Sequence, residues 1–209
     1  MSSATGGPVT TVFRPRTSKA FTAVAFALTA VGLVSVVVSE GVSGLLAGWP
    51  LAVFAFAAWW LFWYPSVEVD PDAVTLRNPL TTVSVPWAAL VHVDTKFALK
   101  LVTPRGSYTA WAAPAPGVWG THAGKPEHLA NLPGNSYGPG RSVRPGDLTH
   151  TDSGYAAFLV RSRWEKFIGS GSLDVDLTDS AVVARSVNWL PIGVAAALVA
   201  ASIASFALA

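Results

Sequence analysis

The chain has 209 residues, of which 51% are hydrophobic and only 12% are charged, and its mean hydropathy is +0.44. Soluble globular domains carry about 25% charged residues, so this composition indicates an integral membrane protein. The net charge of +2, without a run of Lys or Arg, argues against a nucleic-acid partner. The absence of cysteine excludes disulfides, thiolate catalysis and Cys-ligated metal sites.

Three uncharged stretches, residues 20–39, 41–64 and 187–209, define the predicted membrane part. Crossing a bilayer takes about 20 apolar residues at about 1.5 Å per residue. We therefore expect a transmembrane helical hairpin at residues 20–64 and a third transmembrane helix at residues 187–209. No ionisable residue lies inside these stretches, which argues against a proton or ion transporter.

The first stretch also has features of a secretory signal peptide. Basic residues precede it, and Val37, Val38 and Ser39 form an acceptable cleavage site. Its apolar run is longer than the roughly 7 to 15 residues of a signal peptide core, and a second apolar stretch follows at once. Both interpretations stay open, and the length favours a transmembrane helix.

Basic residues near the stretches predict the orientation, because Lys and Arg are retained on the cytoplasmic side. Arg14, Arg16 and Lys19 precede the first stretch, and Arg185 precedes the third, whereas the turn after the first stretch has no basic residue. We expect a multi-pass protein of the cell membrane. Its N-terminal tail (residues 1–19) and the polar region between the second and third stretches would be cytoplasmic.

Small residues recur every four positions in the second and third stretches. They are Gly44, Gly48 and Ala52 in one, and Gly193, Ala197, Ala201 and Ser205 in the other. Such a stripe lets helix backbones approach closely. It leaves open whether the helices pack within one chain or two chains form a homo-oligomer.

The polar region begins with short segments in which apolar and polar residues alternate. Val67 and Val69, for example, alternate with Glu68 and Asp70. Turn signals follow at residues 70–72, 78–79 and 103–106. This pattern predicts about six antiparallel strands in a small barrel or a strongly bent sheet.

Regular patterning stops in a Gly/Pro-rich loop at residues 114–151. A loop of this length is usually functional or disordered, and we expect it to be dispensable for folding. Trp119 and Tyr137 are its candidate contacts for a partner, the alternative being that they pack back onto the barrel. His122, His128 and His150 match no metal-binding spacing, so no metal site is predicted.

A helix is predicted next, with Asp152 or Ser153 as its N-cap and Gly169 at its end. Its apolar face, which we expect to close the open end of the sheet, consists of Ala157, Val160, Trp164 and Phe167. Residues 170–186 follow as a tether to the third span. The acidic residues in this tether lack the Gly and terminal Glu of a calcium loop.

Basic residues after the loop are candidates for contact with anionic lipid headgroups. They are Arg161, Arg163, Lys166 and Arg185. A solvated helix face explains those on the helix equally well, so both interpretations stay open.

Several motifs at residues 65–169 resemble the bacterial PH-like domain of the low molecular weight protein antigen 6 family, found in actinobacterial membrane proteins. They are Val67-Glu68-Val69-Asp70, Arg77-Asn78-Pro79-Leu80, Val85-Pro86-Trp87-Ala88-Ala89-Leu90, Asp152-Ser153-Gly154 and Arg163-Trp164-Glu165. The bias toward Ala, Val, Gly and Arg is also typical of a GC-rich genome such as an actinobacterium. The resemblance implies three transmembrane helices plus an α+β PH-like domain, a bent antiparallel β-barrel capped by a C-terminal helix.

This family has no established activity to carry over. Phosphoinositide-binding PH domains carry basic residues in the loop joining their first two strands, where they meet phosphate oxygens. The corresponding loop here is Asp70-Pro71-Asp72, which disfavours that mode of lipid recognition.

We therefore predict a non-enzymatic, membrane-anchored interaction module at the cytoplasmic membrane face, with the bilayer and an unknown protein as its partners. No nucleophile elbow, phosphate loop or metal triad supports catalysis, so we predict no cofactor and no catalytic residue. The alternative is a component of lipid engagement or of the envelope-stress response, and an enzyme is less favoured.

Overall fold

The computed structural model describes residues 10–117, 133–136, 143–169 and 181–208. They divide into two compact units. The sheet unit comprises the described parts of Met1–Arg14, Ser66–Asn78 and Thr82–Ser186. The helical unit comprises Pro15–Pro65, Pro79–Thr81 and the described part of Val187–Ala209.

The strands are β1 (Thr11–Phe13), β2 (Ser66–Val69), β3 (Ala73–Arg77), β4 (Thr81–Pro86), β5 (His92–Asp94), β6 (Ala98–Thr103), β7 (Gly106–Pro114) and β8 (Ala184–Val187). The α-helices are α1 (Arg16–Glu40), α2 (Trp49–Ala58), α3 (Asp152–Gly169) and α4 (Trp189–Leu208).

Five strands form the first sheet, in the order β1-β2-β3-β4-β8. The predicted hairpins β2–β3 and β3–β4 are present, with Ser66 opposite Arg77 and Arg77 opposite Thr82. Val74 and Leu76 of β3 point into the core, as their alternation with polar residues predicted.

The second sheet contains three strands in the order β5-β6-β7. The prediction of a closed β-barrel is therefore wrong for the described residues, in which the two sheets stay separate. The reason lies between β4 and β5, where Trp87–Ala89 forms a short 3-10 helix and turns the chain away from strand pairing.

One hydrophobic core serves both sheets and α3. Leu76 of the first sheet and Leu99 and Leu101 of the second are fully buried, and so is Val160 of α3. Trp164 and Phe167 of α3 are half-buried against this core. The predicted end of the helix at Gly169 and its apolar face are confirmed.

The N-cap of α3 differs from the expected residues. The Gly154 backbone N–H donates to Thr151 Oγ1 at 3.0 Å, so Thr151 caps the helix. Ser153 instead donates its hydroxyl to the carbonyl oxygen of Gly146 at 2.9 Å. The prediction placed the cap one or two residues too late.

The edge strands of the first sheet come from segments that were predicted to be a tail and a tether. β1 lies in residues 1–19 and pairs with β2, placing Phe13 opposite Val67. β8 covers the last three residues of the predicted tether and Val187 of the predicted third span, and it forms the opposite edge. Strands of three and four residues are too short to show a period of two in the sequence.

The prediction of three membrane-spanning helices is corrected to two within the described residues. Arg16–Glu40 and Trp189–Ala207 are long and apolar enough to cross a bilayer, judged by length and composition, but Trp49–Trp63 is shorter. Residues 41–64 break into a 3-10 helix (Val42–Ala47), α2 and a π-helical turn (Trp59–Trp63). Pro50 explains the break, because proline is accepted in the first turn of a helix but not in its interior.

Small residues allow close packing of α1 against the segment that follows it. A side chain at Gly44 would collide with Val36 and Glu40 of α1, and one at Gly48 would crowd Leu33. In contrast, nothing lies within 4 Å of the position that a Cβ atom would take at Gly193. Gly44 and Gly48 therefore pack against α1, whereas Gly193 in α4 has open space beside it.

Candidate interaction surface

The turn between β5 and β6 presents an exposed aromatic side chain on a rigid backbone. Asp94 Oδ1 accepts hydrogen bonds from the backbone N–H groups of Thr95 (2.9 Å) and Lys96 (3.3 Å) and from the Arg144 guanidinium (2.6 Å). The Phe97 carbonyl oxygen accepts from the Ala115 N–H at 3.0 Å. The turn is thus fixed at both ends.

Phe97 itself is 75% exposed although its backbone is held. The ammonium group of Lys96 lies 5.1 Å from the centroid of the Phe97 ring. An apolar ring with a cation beside it, on a backbone ordered in advance, loses little conformational entropy when a partner binds. Sequence reasoning missed Phe97, since its exposure depends on a turn that no sequence signal specified.

A buried polar cluster holds the end of the Gly/Pro-rich loop against β5 and α3. The Arg161 guanidinium donates to Asp147 Oδ1 at 2.5 Å, to Ser136 Oγ at 3.1 Å and to the Val93 carbonyl oxygen at 2.7 Å. Thr95 Oγ1 donates to Asp147 Oδ1 at 2.8 Å. Asp147 and Ser136 belong to the loop, so these parts of it pack into the sheet unit, and the dispensability of the loop for folding stays a prediction.

The cluster corrects the role predicted for Arg161. Its side chain is 5% exposed and its guanidinium binds protein groups, so it does not face a lipid surface. Arg163 is half-buried, with its guanidinium carbon 5.7 Å from the centroid of the Phe167 ring. Lys166 and Arg185 are exposed, and a contact between them and lipid stays a prediction.

Two other predicted contacts, Trp119 and Tyr137, lie outside the described residues, as do His122 and His128. His150 lies in a turn just before α3. Within the described ranges, no three His, Asp or Glu side chains come close enough together to hold a metal ion.

The Arg77-Asn78-Pro79-Leu80 motif is divided between the two units, with Arg77 and Asn78 in the sheet unit and Pro79 and Leu80 in the helical unit. Asn78 Nδ2 donates to the Thr109 carbonyl oxygen at 2.9 Å, and Asn78 Oδ1 accepts from the Trp111 N–H at 2.8 Å. The Asn78 side chain therefore links the first sheet to β7. Arg77 pairs with Glu68 across the β2–β3 hairpin at 3.1 Å.

Within the helical unit, the next two residues of the motif bind the ends of helices. The Pro79 carbonyl oxygen accepts from the Trp60 indole N–H at 3.0 Å and from Asn188 Nδ2 at 3.4 Å. The Leu80 carbonyl oxygen accepts from the Asn188 backbone N–H at 3.0 Å. The Asn-Pro pair predicted a turn, but no sequence signal predicted these partners.

An apolar groove of about 330 Å³ lies within the helical unit, between α1 and the segment formed by α2 and the π-helical turn. Phe21 and Leu28 line one wall, and Phe54 and Phe62 line the other. The residues that line it offer no titratable group for catalysis.

Comparison with protein families gives a match to the model described as Bacterial PH domain, over residues 64–135. The matched segment contains β2 to β7, and α3 lies after it in the chain. PH domains are generally non-catalytic modules that bind lipids or proteins. No curated protein and no solved structure gives a significant match to the chain.

Proposed function

We propose that the chain is a non-enzymatic interaction module, in which apolar helices hold a PH-like domain at the cytoplasmic face of the cell membrane for a protein partner. The observation that supports a membrane-anchored domain is how few residues connect the strands of the sheet unit to the apolar helices. Arg14 and Pro15 alone separate β1 from α1, Tyr64 and Pro65 precede β2, and Asn188 alone separates β8 from α4.

The sheet topology supports a hairpin whose two ends lie on one side of the membrane. The last residue of β1, Phe13, lies opposite Val67 near the start of β2. The chain therefore leaves the sheet for α1 and returns to it, after the second apolar segment, at the same end of neighbouring strands. If α1 crosses the bilayer, residues 41–65 must cross back.

We propose that the return uses the broken second segment as two shorter helical pieces, neither of which is long enough to span a bilayer alone. The 15 residues of Trp49–Trp63 reach about 22 Å at about 1.5 Å per residue. The six-residue 3-10 helix adds up to about 12 Å at about 2.0 Å per residue. End to end, the two pieces would reach up to about 34 Å, compared with roughly 30 Å for the thickness of the hydrocarbon core.

Single cysteines in this cysteine-free chain test the location. We expect an impermeant thiol reagent to label intact cells when Ser43 is replaced, but not when Ser2 or Ser107 is replaced. All three variants should label after the membrane is opened, which is the control. Labelling of the Ser107 variant in intact cells would overturn the cytoplasmic location.

The observation that carries the interaction role is the rigid turn that presents Phe97. Exposed aromatic anchors on ordered backbone are typical centres of protein interfaces. The neighbouring Lys96 favours a partner with an apolar pocket and an acidic rim. Trp119 and Tyr137 remain proposed contacts for the same partner.

A photo-crosslinking amino acid at position 97 tests this surface in cells. We expect a discrete adduct at position 97 and none at Ser107, an exposed position at the start of β7. Lys96→Glu should reduce the adduct at position 97 while protease resistance stays unchanged. Equal adducts at positions 97 and 107 would mean that Phe97 marks no specific surface.

We also propose, from the motifs quoted above, that this domain is related to the low molecular weight protein antigen 6 family of actinobacterial proteins. The second candidate function is binding of anionic lipid or a role in envelope stress, which the exposure of Lys166 and Arg185 favours.

A fluorophore at position 166 of the full chain in nanodiscs distinguishes lipid binding from binding of a protein partner. Lipid binding predicts quenching by spin-labelled headgroups that falls as salt is added.

A further inference from the structure

The tip of the β3–β4 hairpin belongs to the helical unit rather than to the sheet unit. Pro79–Thr81 groups with the helices, and its backbone is bound by Trp60 and Asn188. Trp60 lies in the π-helical turn that follows α2, and Asn188 immediately precedes α4. These hydrogen bonds hold the turn beside the C-terminal end of the second apolar segment and the N-terminal end of α4.

The residue at this tip is apolar and its side chain is outside the protein core. Leu80 contributes its carbonyl oxygen to the bond with Asn188, while the residue remains 57% exposed. Turn tips in water favour Gly, Asn, Asp, Ser and Pro. A leucine there suits an environment that is itself partly apolar.

Aromatic residues surround the same level of the helical unit. Trp59, Trp60 and Trp63 form the π-helical turn, and Trp189 begins α4 with 74% of its surface exposed. Tryptophan is enriched at the headgroup level of bilayers because its ring is apolar and its N–H is polar. The hydrogen bond from the Trp60 indole N–H to the Pro79 carbonyl oxygen therefore holds the turn next to a tryptophan that favours the headgroup level.

Within the helical unit, the start of α1 is basic. Arg16 and Lys19 are exposed there, close to the π-helical turn, since the ring centroids of Phe21 in α1 and Phe62 in that turn lie 5.4 Å apart. These two basic residues complement the negative potential of a leaflet that contains anionic lipids. Glu40, at the opposite end of α1, is acidic.

We propose that the Pro79–Thr81 turn is an interfacial anchor, with the Leu80 side chain in the boundary between the headgroups and acyl chains of the anionic leaflet. The inference rests on the proposed membrane location and adds a fourth attachment to the three helix connections. Its partner is the phospholipid of that leaflet.

Depth measurements on the full chain in liposomes of anionic and zwitterionic phospholipid test the proposal. Single cysteines at Leu80, Ser107 and Val31 carry an environment-sensitive fluorophore. Aqueous iodide and lipids spin-labelled at the headgroup or deep in the acyl chain serve as quenchers. The Leu80 hydrogen bond uses a backbone carbonyl, so it survives the substitution, and limited proteolysis confirms that each variant is folded.

We expect the label at position 80 to be quenched best by headgroup spin labels and to be several-fold less accessible to iodide than the label at position 107. The label at position 31, exposed in the middle of α1, should be quenched best by the deep spin label. If position 31 is open to iodide, the proposed membrane location fails. The label at position 31 could be quenched by the deep spin label while the label at position 80 is as accessible to iodide as that at position 107. That result would overturn the proposed Leu80 anchor and leave the membrane location standing.

Discussion

Trp87 fills the corner where the chain passes from the first sheet to the second. It is 3% exposed, its indole N–H donates to the Asp70 carbonyl oxygen at 3.0 Å, and its ring centroid lies 5.4 Å from that of Phe167. One side chain therefore joins the β2–β3 turn to α3. The sequence predicted Trp164 on the apolar face of α3, and the structure buries Trp87 more completely than Trp164.

We expect Trp87→Ala to lower the free energy of unfolding of the sheet unit by about 3–5 kcal/mol, since it removes a buried aromatic ring and leaves a cavity. Thermal unfolding and limited proteolysis of the full chain in detergent measure this loss. Trp111→Ala is the matched control, because Trp111 is 58% exposed and its hydrogen bond to Asn78 uses the backbone N–H. Equal losses in the two variants would contradict the assignment of Trp87 to the core.

Arg161 gives the second prediction at the scale of a residue. Arg161→Met leaves the Asp147 carboxylate buried without its cation, which should cost about 3–5 kcal/mol of unfolding free energy. Adding Asp147→Leu removes the isolated charge and should restore part of the stability. Lys166→Met, on the exposed side of the same helix, is the control and should change little.

Denaturant unfolding of the full chain, followed by tryptophan fluorescence, compares these variants. A single Arg161→Met variant as stable as the parent would show that the buried pair does not hold the loop. The sequence could not predict this pair. Arg161 follows Val160 on a mixed helix face, and Asp147 lies in a segment without periodicity, so only the folded chain brings them together.

At the scale of elements, the Pro145–Asp147 turn lies directly against β5. A Cβ atom at Gly146 would overlap the carbonyl oxygen of Thr95, and one at Gly154 would overlap that of Leu148. Both obstacles are backbone atoms, which cannot move aside as the end of a flexible side chain can. These two glycines set the spacing between the turn, β5 and the start of α3.

Gly146→Ala should therefore force the turn away from β5 and destabilise the sheet unit by about 1–3 kcal/mol or more. Gly169→Ala is the control, since nothing lies within 4 Å of the Cβ position there. The shift in thermal midpoint of the full chain in detergent measures both. A Gly146 variant that melts with the parent would mean that the contact relaxes without cost.

Elements with strong local signals were predictable from the sequence, and those without them were not. β2, β3, β4 and α3 show clear alternation or helical periodicity over their length, bounded by Pro, Asp or Gly. β1 and β8 become strands only because the edges of β2 and β4 offer partners. The exposure of Phe97 likewise depends on Arg144 and Ala115, which are distant in sequence.

At the scale of the whole molecule, the order of elements constrains how the chain is assembled. β1 precedes α1 in the chain, yet it pairs with β2, which follows the second helical segment. β8 then joins the same sheet just before α4. The sheet is therefore complete only after the apolar segments are in place, and residues 65–169 alone lack both edge strands.

The pairing of β1 with β2 predicts that residues 12 and 68 can be cross-linked. Val12 lies opposite Glu68, and directly opposed residues on antiparallel strands have Cβ atoms about 4.5–5.5 Å apart. Cysteines at these two positions should therefore react with a short bis-maleimide in isolated membranes and give a cross-linked monomer with altered mobility on denaturing gels. Val12→Cys with Thr75→Cys is the matched control, because Thr75 lies on β3, one strand beyond Glu68, and should cross-link much less.

A cross-link between positions 12 and 68 requires both to lie on one side of the membrane, so its formation supports an even number of crossings between β1 and β2. Its absence, with both cysteines reactive to a monofunctional maleimide, would separate the N-terminal strand from the sheet. That result would favour a first helix that acts as a cleaved signal peptide, since cleavage after Ser39 would release β1 from the chain. The mass of the purified protein then decides, because an intact N-terminus is incompatible with cleavage.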